Sequence, residues 1–294
     1  MFLIIAGLAA LTALIYGVFA GRHDAPPAPT IIALKTQVER TLGLSRQWRR
    51  AFHEDATALS PVPCPTGALV ILTGGQSNAA NALSDPVDAD PESAAYMTFK
   101  GQCYRLQDPV LGATGTKGSL WTALGQALSR ELDRPVVFIN TAVTASTYSA
   151  WLDERSGYFA RLETAIANAA AIGLTPDLIL WHQGESVAHR QVDQEAFQRP
   201  LAALLDKLHA REELENATLL LYRVSRCTGA RQAGNSPLIA AQTELATHLP
   251  WVIAGPNTDT LGPRDRHDGC HFNGRGRDKV IEMTVAALKQ ALDG

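Results

Sequence analysis

Three short stretches hold the residues whose types and spacing suit chemistry. The first is Gly74-Gly75-Gln76-Ser77-Asn78, a serine between two amides behind a glycine pair. The second is Trp181-His182-Gln183-Gly184-Glu185-Ser186, and the third is Arg266-His267-Asp268-Gly269-Cys270-His271-Phe272-Asn273. A serine hydroxyl is a weak nucleophile until a base takes its proton and a third group orients that base. Asp268 and His271 suit the two supporting roles. Three residues apart in a turn, the carboxylate reaches one imidazole nitrogen and leaves the other to face a serine. The order serine, aspartate, histidine along the chain is one of several that build this geometry.

Acyl transfer also needs donors aimed at the developing oxyanion. The backbone N–H of Ser77, a backbone N–H near Ala145 and the side-chain amide of Gln183 are the candidates. Gln76, Asn78, Gly184 and Glu185 complete the expected oxyanion and substrate-binding set. Losing one such donor costs ~10²–10³ in rate, so a missing one weakens a site without erasing it. Other readings accompany these residues. His267, Asp268 and His271 also form a metal-ligand combination, but no second carboxylate–histidine cluster supports it, and no metal is expected. His182 reads as a hydrogen-bonded structural histidine, Trp151 as core, and Glu185 as a supporting carboxylate or a solvated one.

The elements that must position these residues read as alternating strands and helices. Apolar runs predict strands over Ala68–Thr73, Val136–Thr141, Asp177–Trp181, Thr218–Val224 and Trp251–Ala254. Helical periodicity covers Trp121–Leu132, Tyr158–Ile172, Asp193–His209, Leu238–Thr247 and Gly276–Leu292. Alternation of this kind argues for one parallel sheet covered on both faces. The candidate residues then fall just beyond the carboxyl ends of strands, where open α/β sheets place their ligands. The loop Asp85–Gly118 is too long for a plain connection and is expected to be functional or to carry small extra elements.

Of 294 residues, 46% are hydrophobic and 19% charged, enough for one large core or at most two domains. A formal net charge of -3 supplies no basic field for nucleic acid. The four cysteines, Cys64, Cys103, Cys227 and Cys270, show no Cys-x-x-Cys spacing. That argues against a zinc ribbon, and the even count suits two disulfides in an exported protein.

Residues 1–21 read as a signal peptide or an N-terminal membrane anchor, with Phe2–Ala20 almost unbroken apolar sequence. No cation precedes the run, and Arg22, Lys35 and Arg40 follow it. That charge pattern favours a cytoplasmic chain and conflicts with export, which remains the expectation: periplasmic, extracellular or membrane-anchored. Residues 22–60 read as a proline-rich linker followed by an amphipathic helix over Thr30 to about Ala56. Residues 61–294 form the expected globular domain.

Together the motifs resemble the SGNH hydrolase superfamily. More narrowly, they are similar to the branch of sialate O-acetylesterases and carbohydrate esterase family 6 acetylxylan esterases. The family's Gly-Gln-Ser-Asn is Gly75 to Asn78, its Trp-His-Gln-Gly-Glu is Trp181 to Glu185, and its Asp-x-x-His is Asp268 to His271. Three motifs in order, over about Gly67 to Leu292, make the resemblance specific. It implies an α/β, three-layer flavodoxin-like fold with a central five-stranded parallel sheet. It also implies a triad of Ser77, His271 and Asp268, Gln183 as an oxyanion donor, and cofactor-free removal of acetyl groups from a carbohydrate. One block departs: a glycine pair is usual where this chain has Thr144-Ala145-Ser146, which puts the second oxyanion donor in question.

The expectation is therefore an exported serine esterase acting through an acetyl-enzyme on an acetylated carbohydrate, with membrane attachment through residues 2–20 as one form. A Cys227–Cys270 disulfide would brace the Asp268–His271 loop. Two alternatives use the same residues: an acyltransferase that decorates an envelope polysaccharide, and a non-catalytic carbohydrate-binding protein of the same fold.

Overall fold

The computed structural model describes residues 51–190, 192–227 and 234–292. The apolar segment 2–20, the proline linker and most of the expected first helix lie outside the described residues.

Seven strands form one sheet in the order β3-β2-β4-β1-β5-β6-β7. They are β1 (Leu69–Gly75), β2 (Ala95–Phe99), β3 (Gln102–Arg105), β4 (Val136–Asn140), β5 (Leu178–His182), β6 (Thr218–Arg223) and β7 (Val252–Asn257). All neighbours pair in parallel except β2 with β3. Every residue of β4 and β5 is buried, as strands covered on both faces require.

The alternation of side chains divides the core into two layers. Val70, Leu72, Val137, Ile139, Ile179 and Trp181 face one way. They pack with Phe159 and Leu162 of α3 (Tyr158–Ala170), Leu201 and Leu205 of α4 (Gln194–His209), and Leu238 of α5 (Ser236–His248). Ile71, Phe138, Leu180, Leu220 and Tyr222 face the other way. Their partners are Trp121 and Leu124 of α1 (Trp121–Glu131) and Val280 and Leu288 of α6 (Gly274–Leu292). A further short helix, α2 (Tyr148–Leu152), follows β4. The three-layer α/β class is as expected. Local capping agrees with it: Asp193 accepts from the Ala196 N–H to start α4, and Asn235 accepts from Leu238 N–H to start α5.

The sheet has seven strands rather than five. The additional pair is a hairpin inside the long 85–118 segment. Its two-residue turn, Lys100-Gly101, takes φ of 51° and 76°, the conformation that matches the twist of tight hairpins. Strand β2 adds to the edge of β4, and Cys103 on β3 is tied to Cys64 by a disulfide. The expected first helix is also corrected at its end. Residues 51–56 are not helical, because the backbones of Ala51 and His53 pair with residues 112–115. Among the described residues no helix is long and apolar enough to cross a membrane.

Strand β1 lies at the centre, with β4 on one side and β5 on the other. The strand order reverses at this point, and the crevice beyond the carboxyl end of β1 is the natural ligand site of such a sheet.

Candidate active site

Strand β1 ends at Gly75, which has φ of 120° and lies so close to β5 that a Cβ there would meet the His182 carbonyl oxygen at 2.1 Å. Only glycine fits both conditions. Behind it, Gln76 enters a single turn of 3-10 helix, Ser77–Ala79. Ser77 is 4% exposed and stands at the first position of that turn. First-turn N–H groups have no partner within a helix, and among the described residues none accepts from the Ser77 N–H.

Asn78 is the tie between this turn and the third motif. Its Oδ1 accepts from the Phe272 N–H at 3.2 Å, and its Nδ2 donates to the Cys270 carbonyl at 3.2 Å and to Glu185 Oε1 at 2.8 Å. Cys270 and Phe272 flank His271, so the histidine is brought to the residue adjoining Ser77. Among the described residues Ser77 Oγ and the His271 imidazole form no hydrogen bond. Such bonds are commonly long before substrate arrives and tighten in its complex.

Asp268 holds the histidine. Its Oδ2 lies 2.6 Å from His271 Nδ1, while its Oδ1 accepts from the N–H groups of Cys270 at 2.9 Å and His271 at 2.8 Å. Burial pushes the Asp268 carboxyl up, but the hydrogen bonds from the His271 side chain and from both backbones outweigh it and hold the group well below the usual carboxylate range. An ionised carboxylate only accepts, so His271 Nδ1 carries the proton and Nε2 is left as a base. The loop itself is clamped. The buried Arg266 guanidinium donates to the Cys270 carbonyl and, at 3.0 Å, to the Thr258 carbonyl, and it lies over the Phe272 ring. The His267 N–H donates to the His271 carbonyl at 2.9 Å. A Cys227–Cys270 disulfide pins the loop to the segment after β6, the pairing expected from the sequence.

The second block turns tightly without the glycine pair. Ala145 has φ of 56°, so an alanine takes the left-handed turn. Ser146 locks this turn onto β1. Its hydroxyl donates to the Gly75 carbonyl at 3.1 Å and accepts from Trp151 Nε1 at 2.9 Å. Trp151 is fully buried against Trp181, as core.

The Gln183 side chain, expected as an oxyanion donor, lies against the Ala145 turn. Its Nε2 donates to the Ser146 carbonyl at 3.0 Å and to Ser146 Oγ at 3.1 Å, and its Oε1 accepts from Trp181 Nε1 at 3.1 Å. With both amide hydrogens so placed, it braces the Ala145 turn. Gln76 likewise braces the second motif, since its Oε1 accepts from the N–H groups of Ser186 at 3.0 Å and Gly184 at 3.4 Å. Gly184 is required there by contact, because a Cβ would meet the Val224 carbonyl oxygen at 1.9 Å.

Glu185 is buried and supports Asn78 through Oε1, with His182 Nδ1 3.5 Å from the same oxygen. Burial lowers the His182 imidazole, against the opposing pull of Glu185, so the ring is neutral and structural. Ser146, Ser186 and Arg266 are site-building residues that sequence reasoning passed over. Their signal was position alone: Ser146 adjoins the altered Ala145, and Ser186 and Arg266 lie in the second and third stretches. His267 Nε2 lies 3.6 Å from Asp268 Oδ2, and His267, Asp268 and His271 offer ligand atoms within 4.8 Å of one another.

Residues 68–290 match the family described as carbohydrate esterase, sialic acid-specific acetylesterase. Solved structures share the fold. A protein from Arabidopsis thaliana superposes with a TM-score of 0.60 at 16% identity, over 76% of this chain and 98% of that one. NanS gives 0.53 at 12% identity, over 79% and 99%. A carbohydrate acetylesterase from Xanthomonas citri gives 0.51 at 17% identity, over 76% of this chain and 56% of its own length. No curated protein matches the sequence. The family match spans most of the chain, and the chain belongs to the sialic acid-specific acetylesterase family of carbohydrate esterases, which are carboxylic ester hydrolases.

Proposed function

We propose that the chain removes O-acetyl groups from a carbohydrate through Ser77, His271 and Asp268. The supporting observation is the pair of Asn78 hydrogen bonds to Cys270 and Phe272, which bring His271 to the turn that carries Ser77. His271 Nε2 takes the Ser77 proton as Oγ attacks the acetyl carbonyl. The negative charge on the carbonyl oxygen is met by the Ser77 N–H, with the backbone of the Ala145 turn as the second contributor. His271 then gives its proton to the departing sugar oxygen, leaving an acetyl-enzyme. Water attacks that ester with His271 again as base, and acetate leaves. Asp268 stays ionised and stabilises the imidazolium that forms at each step. Gln76, Asn78, Gln183, Gly184 and Glu185 hold these groups in place.

The two disulfides point to an oxidising compartment. Export fits them, with residues 2–20 acting as a leader or an anchor.

The test is acetate release from an activated acetyl ester by the full chain and by Ser77→Ala. The variant is expected to lose on the order of 10⁴-fold or more. Equal rates in the two proteins would overturn the serine route.

A further inference from the structure

We propose that His267, Asp268 and His271 form an inhibitory binding site for a divalent transition metal of the zinc class. Occupancy of this site switches the catalytic base off. The effect on rate rests on the triad reading above, whereas the binding does not. His267 has no part in the acyl-transfer chemistry, yet it lies on the same short loop with Nε2 3.6 Å from Asp268 Oδ2. On the other side of that oxygen, His271 Nδ1 is 2.6 Å away. The two imidazoles face each other at 5.8 Å between centroids and 27° between planes. Two histidines and one carboxylate are a common ligand set for zinc with one position left open.

The spacing fits. Bonds of about 2.0–2.2 Å in a tetrahedral site put ligand atoms roughly 3.3–3.6 Å apart. The His267–Asp268 separation already has this value. The His271–Asp268 separation has to open by about 1 Å, within the reach of side-chain rotation on an exposed carboxylate. The side chains of His267 and His271 are each 23% exposed and that of Asp268 is 43% exposed, so a hydrated ion has access. The loop beneath is already fixed by the His267 N–H to His271 carbonyl bond, by Arg266 on the Cys270 carbonyl, and by the Cys227–Cys270 disulfide. Little of the backbone has to be ordered when the metal enters.

The chemical consequence follows from the tautomer. In the metal-free site His271 Nδ1 carries the proton and Nε2 the lone pair. Coordination through Nδ1 takes the lone pair of that nitrogen, so the proton moves through solvent to Nε2. Metal-bound water is released as the nitrogen and oxygen bonds form, and no net proton or electron is exchanged. The nitrogen offered to Ser77 then carries a hydrogen and is no longer a base. The carboxylate that stabilised the imidazolium is consumed in the same event.

The experiment titrates zinc chloride into the full chain by calorimetry. It follows cobalt(II) uptake by visible absorption, and repeats both with His267→Ala and with Ser77→Ala. The wild type is expected to bind one equivalent, and acetyl-ester hydrolysis should fall in step with occupancy and return on chelation. Loss of a direct ligand in His267→Ala should weaken binding by at least the ~10–100-fold that loss of an outer-shell partner costs. Inhibition, measured against that variant's own chelator-treated rate, should shift in parallel. Ser77→Ala should bind as the wild type does, which separates this result from any failure of the esterase reading. Binding by His267→Ala at wild-type affinity, or no uptake of either ion by the wild type, would overturn the proposal.

Discussion

The Asn78 side chain accepts the Phe272 N–H at 3.2 Å, joining the turn that carries Ser77 to a loop 194 residues away in sequence. The same side chain donates to the Cys270 carbonyl. The backbone on both sides of His271 is therefore held by one amide, and the spacing between serine and histidine is set by a residue that takes no proton.

Replacement of Asn78 by alanine removes three buried hydrogen bonds together. A displacement of about 1 Å at a reacting group costs on the order of 10² in rate. Asn78→Ala is therefore expected to lower kcat by about that factor with a much smaller change in KM. Buried partners left unsatisfied cost about 1–3 kcal/mol, so urea unfolding of the variant should show a stability loss in that range. Asn78→Asp should be worse in both respects, since it sets a second carboxylate against Glu185. A variant with wild-type kcat would show that the spacing of Ser77 and His271 does not depend on Asn78.

The disulfide between Cys227 and Cys270 spans 43 residues and ends beside His271. A cross-link of this length is worth about 2–4 kcal/mol. Replacing both cysteines by serine should lower stability by that amount, read from denaturant unfolding. Activity should fall as well, because the loop that presents His271 loses one of its anchors. Replacing Cys64 and Cys103 removes a bond on the edge strand β3, separated from β1 by β2 and β4, and activity measured below the unfolding transition should be retained.

Much of the candidate site was legible because its residues are local in sequence. Asp268 and His271 share one turn, and Ser77 directly follows an apolar run that could only be a buried strand. Parallel strands buried on both faces are continuous apolar segments, so β1, β4, β5 and β6 stood out. Strands β2 and β3 did not, because they form an edge hairpin of mixed residues. Its turn depends on Lys100 adopting a positive φ, which no local rule favours. The end of the expected helix, residues 51–56, is drawn instead into pairing with a tertiary partner, the 112–115 backbone. Gln183 shows a further limit. Its motif named the residue, but the acceptors of its amide lie 37 positions away on Ser146. Residue type alone does not say which group a donor serves.

Ala145 carries a φ of 56° at an exposed turn. A left-handed conformation costs an L-residue roughly 1–2 kcal/mol, and glycine escapes most of it. Against this, glycine adds about 0.4–1 kcal/mol of entropy to the unfolded chain. Ala145→Gly should therefore be neutral to stabilising, by up to about 1 kcal/mol, and should leave the hydrolysis rate close to wild type. Ala145→Val should lower stability, because a branched side chain fits this conformation poorly. Thermal unfolding of the three proteins orders them. A loss of stability in Ala145→Gly would mean that the Ala145 methyl contributes more than its backbone costs.

Stability should fall with pH in two separate windows. Burial lowers the folded-state pKa of His182 below its ordinary value of about 6.5. The unfolded chain then takes up this proton first, so the contribution of neutral His182 is complete above about pH 6.5 and is lost as the pH falls from there towards the folded value. The half-buried His53 is lowered in the same direction by burial, and it adds to this window. Asp268 acts lower. Its carboxyl is held below the ordinary range, so its contribution is complete above about pH 3.9 and is lost only as the pH falls through the depressed folded value. Urea unfolding between about pH 7.5 and 5 should therefore show a decline that His182→Asn flattens without abolishing, His53 accounting for the remainder. Asp268→Asn should reduce the loss at more acid pH, below about pH 3.9. Equal slopes for the wild type and His182→Asn would mean that His182 is charged within the fold, with Glu185 as its ion-pair partner.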